Sequence, residues 1–246
     1  MSPLARVLLL CACAACERAE PPPAPEPPPP PVHERATAKI RYAAKTQPAF
    51  SGINNNFFSI VEDAALFLVA DAKDPAASKL LADEMGVYPQ TGCADRRDPD
   101  EREMWCGIER ANRSLRAAKQ TSSFAAVIVR DGAALLATAG DVPVYVRNGA
   151  TGAIVAVRSV PPLGTSATPQ ADVKWIPLAV GDSFLIIDRG LLVALGLPRV
   201  RDAAAPAVDG KVDLETAVGS LVDAAMPLRD HAELTAVEVH LAPGTP

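Results

Sequence analysis

Aromatic residues, histidines and basic runs are scarce in this sequence of 246 residues. Only 4% of the residues are Phe, Trp or Tyr although 49% are hydrophobic, so the core must be built mainly from Ala, Val and Leu. The three histidines, His33, His231 and His240, are scattered and lack the paired ligand spacing of a zinc site. The formal net charge is −5 and no basic stripe is present, which argues against nucleic acid as a partner.

A hydrophobic run long enough to span a bilayer is also missing near the N-terminus. Val7 to Ala15 is apolar and follows Arg6, which is typical of a signal peptide. Small residues precede Cys16, as in a bacterial lipoprotein box, so we predict a signal peptide at 1–16 and lipidation of Cys16. A shifted box ending at Cys13 and an ordinary secretory signal are the alternatives. Because the next residue is Glu17 rather than aspartate, we expect a periplasmic lipoprotein of the cell envelope, held in the outer membrane by its acyl chains.

Proline dominates the stretch that follows. Pro21 to Pro31 is almost entirely proline, which favours an extended polyproline II rod over a helix or a central strand. We therefore predict a stiff linker over 17–35. The remaining residues, 36–246, are long enough for a single domain with a sizeable core.

Cysteine is rare within this predicted domain. Of the five cysteines, only Cys93 and Cys106 lie beyond the predicted leader and its lipidation site. In an oxidising compartment the two are expected to form a disulfide that closes a short loop and contributes about 3 kcal/mol.

The domain alternates between strand-like and helix-like segments. Asp74 and Asp98, each followed by proline, predict the starts of two helices. Gly140-Asp141 and Gly181-Asp182 are typical of turns between strands. Because hairpins dominate, we expect an α+β fold with antiparallel sheets. The predicted strands are 65–71, 124–130, 134–139, 144–147, 154–157, 175–178 and 184–188 with a final one at 235–241, and the predicted helices are 75–85, one from 98, 191–195 and 214–226.

Four segments, in this order, resemble those of the metal-dependent PPM-type (type two C) serine/threonine protein phosphatases. NNNFFSIVEDAALFLVAD (54–71) is similar to the family's NEDSF…LFVVADGMGG, and residues 111–149 are similar to its GSTAVVALI…ANVGDSRAYL region. GDSFLIIDRGL (181–191) and HAELTAVEVHL (231–241) are similar to GD-x-LLLCSDGL and DNITVVVVRL. The resemblance implies a four-layer α-β-β-α sandwich of two antiparallel sheets flanked by helices, with the flap region at 163–174 shortened.

The same resemblance locates the positions at which the family holds its metal ions. Family members bind Mn²⁺ or Mg²⁺ through aspartates, and a metal-bound water attacks phosphorus. In this chain only Asp71 keeps an aspartate, whereas the other three positions carry Asn56, Arg189 and Ala232. These replacements remove three negative charges and add one positive charge, a change of four units. The family's phosphate-binding arginine is also missing, since its position falls near Ser51.

Two functions follow as alternatives. We expect a catalytically inactive pseudophosphatase that serves as a binding or regulatory module for an unknown protein partner and needs no cofactor. In that case Arg189 is expected to pair with Asp71 across the former metal site, with a side chain that points to solvent as the alternative. The alternative is a divergent, weak metal-dependent protein serine/threonine phosphatase with Mn or Mg in a rearranged site. A one-residue slip would place Asp188 at the Arg189 position, and the candidate ligands of that site are Asp63, Asp71, Asp74, Asp188 and Glu233. A purely structural envelope lipoprotein is a third possibility.

Overall fold

The computed structural model describes residues 39–52, 54–87, 98–130, 132–159, 161–208, 212–229 and 232–243. The predicted signal peptide, the lipidation site Cys16 and the proline-rich linker lie outside these ranges. Cys106 is buried in the domain, but Cys93 lies outside the described residues, so the pairing of the two cysteines stays a prediction.

Nine strands and four helices make up the described part of the chain. None of these helices combines the length and the apolar character needed to cross a membrane. Two short 3₁₀ segments, Glu62–Ala64 and Met226–Leu228, accompany them. The strands are β1 (Lys39–Gln47), β2 (Asn56–Val61), β3 (Leu66–Asp71), β4 (Ser123–Arg130), β5 (Ala133–Arg147), β6 (Ile154–Ser159), β7 (Asp172–Pro177), β8 (Ser183–Ile187) and β9 (Leu234–Ala242), and the helices are α1 (Pro75–Gly86), α2 (Pro99–Ala117), α3 (Arg189–Val208) and α4 (Leu214–Ala225).

Strand β5 is shared by two antiparallel sheets. Its first half pairs with β4 and β7, and its second half pairs with β6 and β8. The first sheet therefore runs β1-β9-β8-β5-β6 and the second runs β2-β3-β4-β5-β7. The strands on either side of Gly181-Asp182 pair with different halves of β5, so this turn does not close a hairpin.

The predicted break at Gly140-Asp141 is wrong, because β5 continues through it with a bulge. Gly140 has φ 77°, which a glycine adopts without strain. A Cβ at this position would lie 2.2 Å from the Ser123 Oγ, so the close approach of β4 and β5 also requires glycine here. The bulge redirects β5 from one sheet into the other.

Three apolar clusters separate four layers. One lies between the second sheet and α1 and α2, and it contains Leu68, Leu81, Ile108 and Phe124. The alternate residues of the same strands point the other way, and with Phe184 and Val237 they fill the space between the sheets. A third cluster packs the first sheet against α3 and α4. The predicted α-β-β-α sandwich with antiparallel sheets is confirmed.

The helix starts follow the local sequence. Asp74 accepts a hydrogen bond from the Ala76 N–H at 2.9 Å, and Asp98 accepts one from the Glu101 N–H at 2.9 Å. Each is followed by proline in the first helical turn, as predicted. The short helix predicted at 191–195 is the first part of α3, which is kinked at Gly196, where φ is 71°.

Candidate ligand-binding cleft

An open cleft of about 600 Å³ lies where several strand ends meet. Asn56 begins β2 and is paired across the sheet with Asp71, which ends β3. Arg189 begins α3. Glu233 immediately precedes β9, and Ala232 comes just before Glu233. All of these residues line the cleft. Four positions that the sequence resemblance singled out are thus brought to one place, although they are up to 176 residues apart in the chain (232 − 56).

Backbone contact between α3 and the start of β9 forms one wall. The Asp188 N–H donates to the Thr235 carbonyl at 3.1 Å. A Cβ at Gly190 would lie 2.2 Å from the Glu233 carbonyl oxygen, so only glycine permits this approach. The close contact fixes where Arg189 and Glu233 enter the cleft.

Asp188 is fully buried behind the cleft. Its Oδ1 accepts a hydrogen bond from the Leu191 N–H at 2.7 Å, and its Oδ2 accepts one from the Asn56 Nδ2. Burial raises the pKa of this carboxyl well above its usual range, and the neighbouring carboxyls of Asp71 and Glu233 raise it further. The buried Oδ1 of Asn56 has no hydrogen-bond partner among the described residues.

Asp71 is partly buried at the base of the cleft. Burial is the main cause that raises its pKa to about 6. A hydrogen bond from the Arg189 backbone N–H and the positive charge of Arg189 act in the opposite direction, while the Glu233 and Asp141 carboxyls raise the pKa. Asp71 and Glu233 in the cleft and Asp188 behind it therefore form a group of acids that interact electrostatically.

Arg189 does not form the predicted side-chain ion pair with Asp71. Its Nη1 donates instead to the Asp141 Oδ2 at 3.3 Å, and both side chains are 67% exposed. An ion pair this exposed stabilises by no more than about 1 kcal/mol. Arg189 thus places its positive charge at the mouth of the cleft.

Two of the alternative ligand candidates lie away from the cleft. Asp63 lies in the 3₁₀ segment at the far end of the β2–β3 hairpin from Asn56 and Asp71. Asp74 caps α1 and also accepts a hydrogen bond from Gln120 Nε2 at 2.6 Å. The five carboxylates proposed for a rearranged metal site are therefore not brought together.

The residues present do not fit a pair of divalent ions. No group of three or more His, Cys, Asp or Glu side chains in the described ranges is arranged to hold a metal. Both oxygens of Asp188 accept hydrogen bonds behind the cleft wall, and Asn56 directs its amide N–H to one of them. Ala232 offers no ligand atom, and Arg189 brings a cation. Mn²⁺ and Mg²⁺ require several oxygen ligands, mostly anionic, which these residues do not supply.

Among the charged residues of the cleft, sequence reasoning missed Arg229. Arg229 follows the 3₁₀ segment after α4 and lines the cleft with only 8% of its surface exposed. Its Nη1 donates to the Pro48 carbonyl at 2.7 Å, and its guanidinium lies over the Phe50 ring, 4.4 Å from the centroid. No motif or spacing marks this arginine, because its role depends on contacts with residues about 180 positions earlier.

Comparison with solved structures identifies the fold. PppA, described as a key regulatory component of T6SS in Pseudomonas aeruginosa, matches with TM-score 0.71 and 19% identity, covering 82% of this chain and 97% of that chain. The serine/threonine phosphatase PstP/Ppp of Mycobacterium tuberculosis matches with TM-score 0.67 and 13% identity, covering 82% and 99%. Serine/threonine phosphatase Stp1 from Staphylococcus aureus matches with TM-score 0.71 and 14% identity, covering 85% and 98%.

A fourth similar structure is the PstP catalytic domain in complex with two manganese ions, at TM-score 0.68 and 14% identity, covering 84% of this chain and all of that one. Together these similarities establish the architecture of the domain. No protein-family model matches the sequence, and a search of curated proteins found no match. The resemblance to PPM-type phosphatases seen in the sequence is confirmed at the level of the fold.

Proposed function

We propose that this domain is a pseudophosphatase, a phosphatase-like module that binds a partner or regulates it without hydrolysing phosphate esters. The observation that carries the proposal is the set of residues at the four metal positions. By the sequence resemblance, Asn56, Arg189 and Ala232 fall where the family has aspartates, and all three line the same cleft as Asp71. The structural neighbour PppA is described as a key regulatory component of T6SS, and a regulatory role is part of this proposal as well.

Electrostatics supports this proposal. Two unit charges about 4 Å apart interact with about 4 kcal/mol at an effective dielectric constant of about 20. A site that has lost three carboxylates and gained a guanidinium therefore loses the attraction that holds a divalent ion and gains repulsion. The Asn56–Asp188 hydrogen bond ties the start of β2 to the residue before α3, so the amide of Asn56 is engaged by the protein itself.

Calorimetric titration of the full chain with Mn²⁺ tests the proposal. The matched variant is Asn56→Asp/Arg189→Asp/Ala232→Asp, which restores the three carboxylates, with its folding checked by circular dichroism. We expect no binding heat from the wild type up to millimolar Mn²⁺ and measurable binding by the variant. Micromolar binding by the wild type would contradict the proposal.

A divergent metal-dependent phosphatase is the second candidate function. It is favoured by the raised pKa values of Asp71 and Asp188, because strongly perturbed carboxyls cluster at active sites. If this candidate holds, the wild type hydrolyses a phosphorylated peptide in the presence of Mn²⁺, and Asp71→Asn abolishes the reaction. A rate that is unchanged in Asp71→Asn excludes it.

We also propose that the domain is an envelope lipoprotein, anchored to the outer membrane through Cys16 and held off its surface by the linker at 17–35. The apolar segment, the small residues before Cys16 and the proline run support this proposal. Fractionation of bacteria that express the full chain or Cys16→Ser tests it. The wild type is expected with the outer membrane and the variant in soluble periplasm or retained as a precursor, and an identical distribution of the two would refute lipidation at Cys16.

A further inference from the structure

A second pocket, of about 440 Å³, lies between α3 and α4. Its floor is apolar, because Leu195, Ala217 and Leu221 are buried members of the cluster that packs these helices against the first sheet. Its other uncharged lining residues are Val212, Ser220 and Ala224. No lining residue is shared with the cleft at the strand ends, so the two pockets are separate.

The kink in α3 explains why these two helices leave a gap. Gly196 has φ 71° and ψ 159°, which interrupts the helical backbone, and Pro198 follows two residues later. Past such a kink the helix takes a new direction. The lining residues of α4 lie at positions 217, 220, 221 and 224, a spacing that places them on one face of the helix. The pocket therefore opens between this face of α4 and the second part of α3.

Two side chains of opposite charge line the same pocket. Arg199 and Asp202 are exposed and lie three residues apart on α3, which is about one helical turn. They form no ion pair with each other, and neither takes part in an ion pair with any other residue in the described ranges. Both charges are therefore available to a bound molecule.

These features define the chemistry of a ligand. The volume lies in the lower half of the range of about 300 to 1,000 Å³ that is typical of small-molecule pockets, which combine an apolar lining with a few polar groups. The apolar floor suits a hydrocarbon chain, whose burial is favourable in water. A head group with a single charge would be attracted by one of Arg199 and Asp202 and repelled by the other. A head group that carries both charges is attracted by both.

We propose that the pocket between α3 and α4 binds a single-chain zwitterionic phospholipid. Its hydrocarbon chain lies on the apolar floor, its phosphate lies at Arg199 and its ammonium group lies at Asp202. One chain rather than two is proposed because of the small volume of the pocket. This inference goes beyond the pseudophosphatase proposal and does not depend on it, since none of the four metal positions lines this pocket.

Isothermal titration calorimetry with three amphiphiles of equal chain length tests the proposal. The protein is the full chain with Cys16→Ser, which removes the predicted lipid anchor. The probes are the zwitterionic dodecylphosphocholine, the anionic dodecanoate and the cationic dodecyltrimethylammonium, each kept below its critical micelle concentration. We expect dodecylphosphocholine to bind and the other two to bind about 3- to 10-fold more weakly, as exposed charge pairs imply. No binding of dodecylphosphocholine, or equal binding of the three probes, overturns the proposal.

A pocket-filling variant tests the place of binding. Ala224→Trp puts a large side chain into the pocket from an exposed position, and we expect it to weaken binding of dodecylphosphocholine by about tenfold or more. Ala117→Trp, at the exposed end of α2 and outside the pocket, is the matched control and should bind as the parent protein does. If the two variants bind dodecylphosphocholine equally well, the amphiphile lies elsewhere and the proposal is wrong.

Charge variants test the orientation of the head group. Arg199→Gln should shift the preference of the pocket towards dodecyltrimethylammonium, and Asp202→Asn should shift it towards dodecanoate, each by about threefold or more. A purely structural role of these two side chains would instead weaken the binding of all three probes alike. Arg116→Gln, an exposed substitution on α2, is the control and should leave the order of the three affinities unchanged. If neither preference moves, Arg199 and Asp202 do not bind the head group and the zwitterionic ligand is refuted.

Discussion

Glu238 is a buried carboxyl with little to compensate its charge. It lies in β9 between Ala43 of β1 and Leu185 of β8, on the side of the first sheet that packs against α3 and α4. Its side chain is 2% exposed, and its Oε1 has no hydrogen-bond partner among the described residues. Burial raises the pKa of Glu238 to about 8, even though the charge of Arg147 acts in the opposite direction.

This raised pKa makes the stability of the domain depend on pH. Between the unfolded pKa of 4.5 and the folded pKa of about 8, the folded state binds a proton that the unfolded state has released. The free energy of unfolding therefore falls as pH rises through this window, by about 1.4 kcal/mol per pH unit where the difference is complete. Integrated from pH 6 to pH 9, the contribution of Glu238 is a loss of about 2 to 3 kcal/mol.

Glu238→Gln removes this contribution while keeping nearly the same volume. We expect the variant and the wild type to have similar stability at pH 6, where the folded glutamic acid is also neutral, and the variant to be more stable by about 2 to 3 kcal/mol at pH 9. Urea denaturation at each pH, followed by tryptophan fluorescence, measures the difference. Because both proteins contain His240, whose pKa is lowered by burial, its titration cancels.

Glu109→Gln, at an exposed position on α2, is the matched control for the loss of a carboxylate. The reasoning is refuted if the stability difference between Glu238→Gln and the wild type is the same at pH 6 and pH 9. A lower stability of the variant at pH 9 would show that the ionised carboxylate and Arg147 stabilise each other by more than burial costs.

Three further substitutions test the local geometry. Gly190→Ala should lower the melting temperature strongly, because the added Cβ would lie 2.2 Å from the Glu233 carbonyl oxygen. An unchanged melting temperature would mean that the two backbones separate easily. Asn56→Ala removes one of the hydrogen bonds to the buried Asp188. We expect the free energy of unfolding, measured by urea denaturation, to fall by about 1 to 3 kcal/mol. An unchanged free energy of unfolding would mean that this hydrogen bond contributes nothing to stability. Asp98→Ala removes the cap of α2 and should cost about 1 kcal/mol, which Asp98→Asn should largely restore.

Much of the fold could be predicted because local signals and tertiary structure agree. The Asp-Pro pairs at 74–75 and 98–99 start helices in the structure, and the apolar run at 65–71 forms a strand buried on both faces. Such segments carry their own information, in the capping side chain and in the spacing of apolar residues. The strand β1 was not predicted, because its alternation is weak and it lies at the edge of the first sheet.

The bend of β5 could not be predicted from local sequence. Gly140-Asp141 has the composition of a turn, and nothing nearby shows that the chain continues in the same direction. The strand persists because each half finds partners in a different sheet, which is a property of the assembled sandwich. A glycine with positive φ fits both a turn and a bulge, so the sequence signal is ambiguous for a physical reason.

For the cleft, too, the sequence could predict which residues are present but not which partners they bond. The resemblance to phosphatase segments was enough to name Asn56, Asp71, Arg189 and Ala232, and these residues do meet. It was not enough to predict that Arg189 bonds Asp141, or that Asn56 bonds Asp188, 132 residues away. These partners are chosen by side-chain direction at strand ends, which a linear motif does not encode.

The cleft is separate from the apolar core, which explains how the fold accommodates residues in the cleft that differ from the aspartates of the phosphatase family. The three apolar clusters are formed by strand centres and helix faces, and none includes Asn56, Asp188 or Arg189. The buried carboxyl of Asp188, behind the cleft, accepts hydrogen bonds from the Asn56 amide and the Leu191 N–H, and burial raises its pKa. Hydrogen bonds offset part of the cost of burying a polar group. The residues at the cleft positions can therefore differ without disturbing the three apolar clusters that hold the layers together.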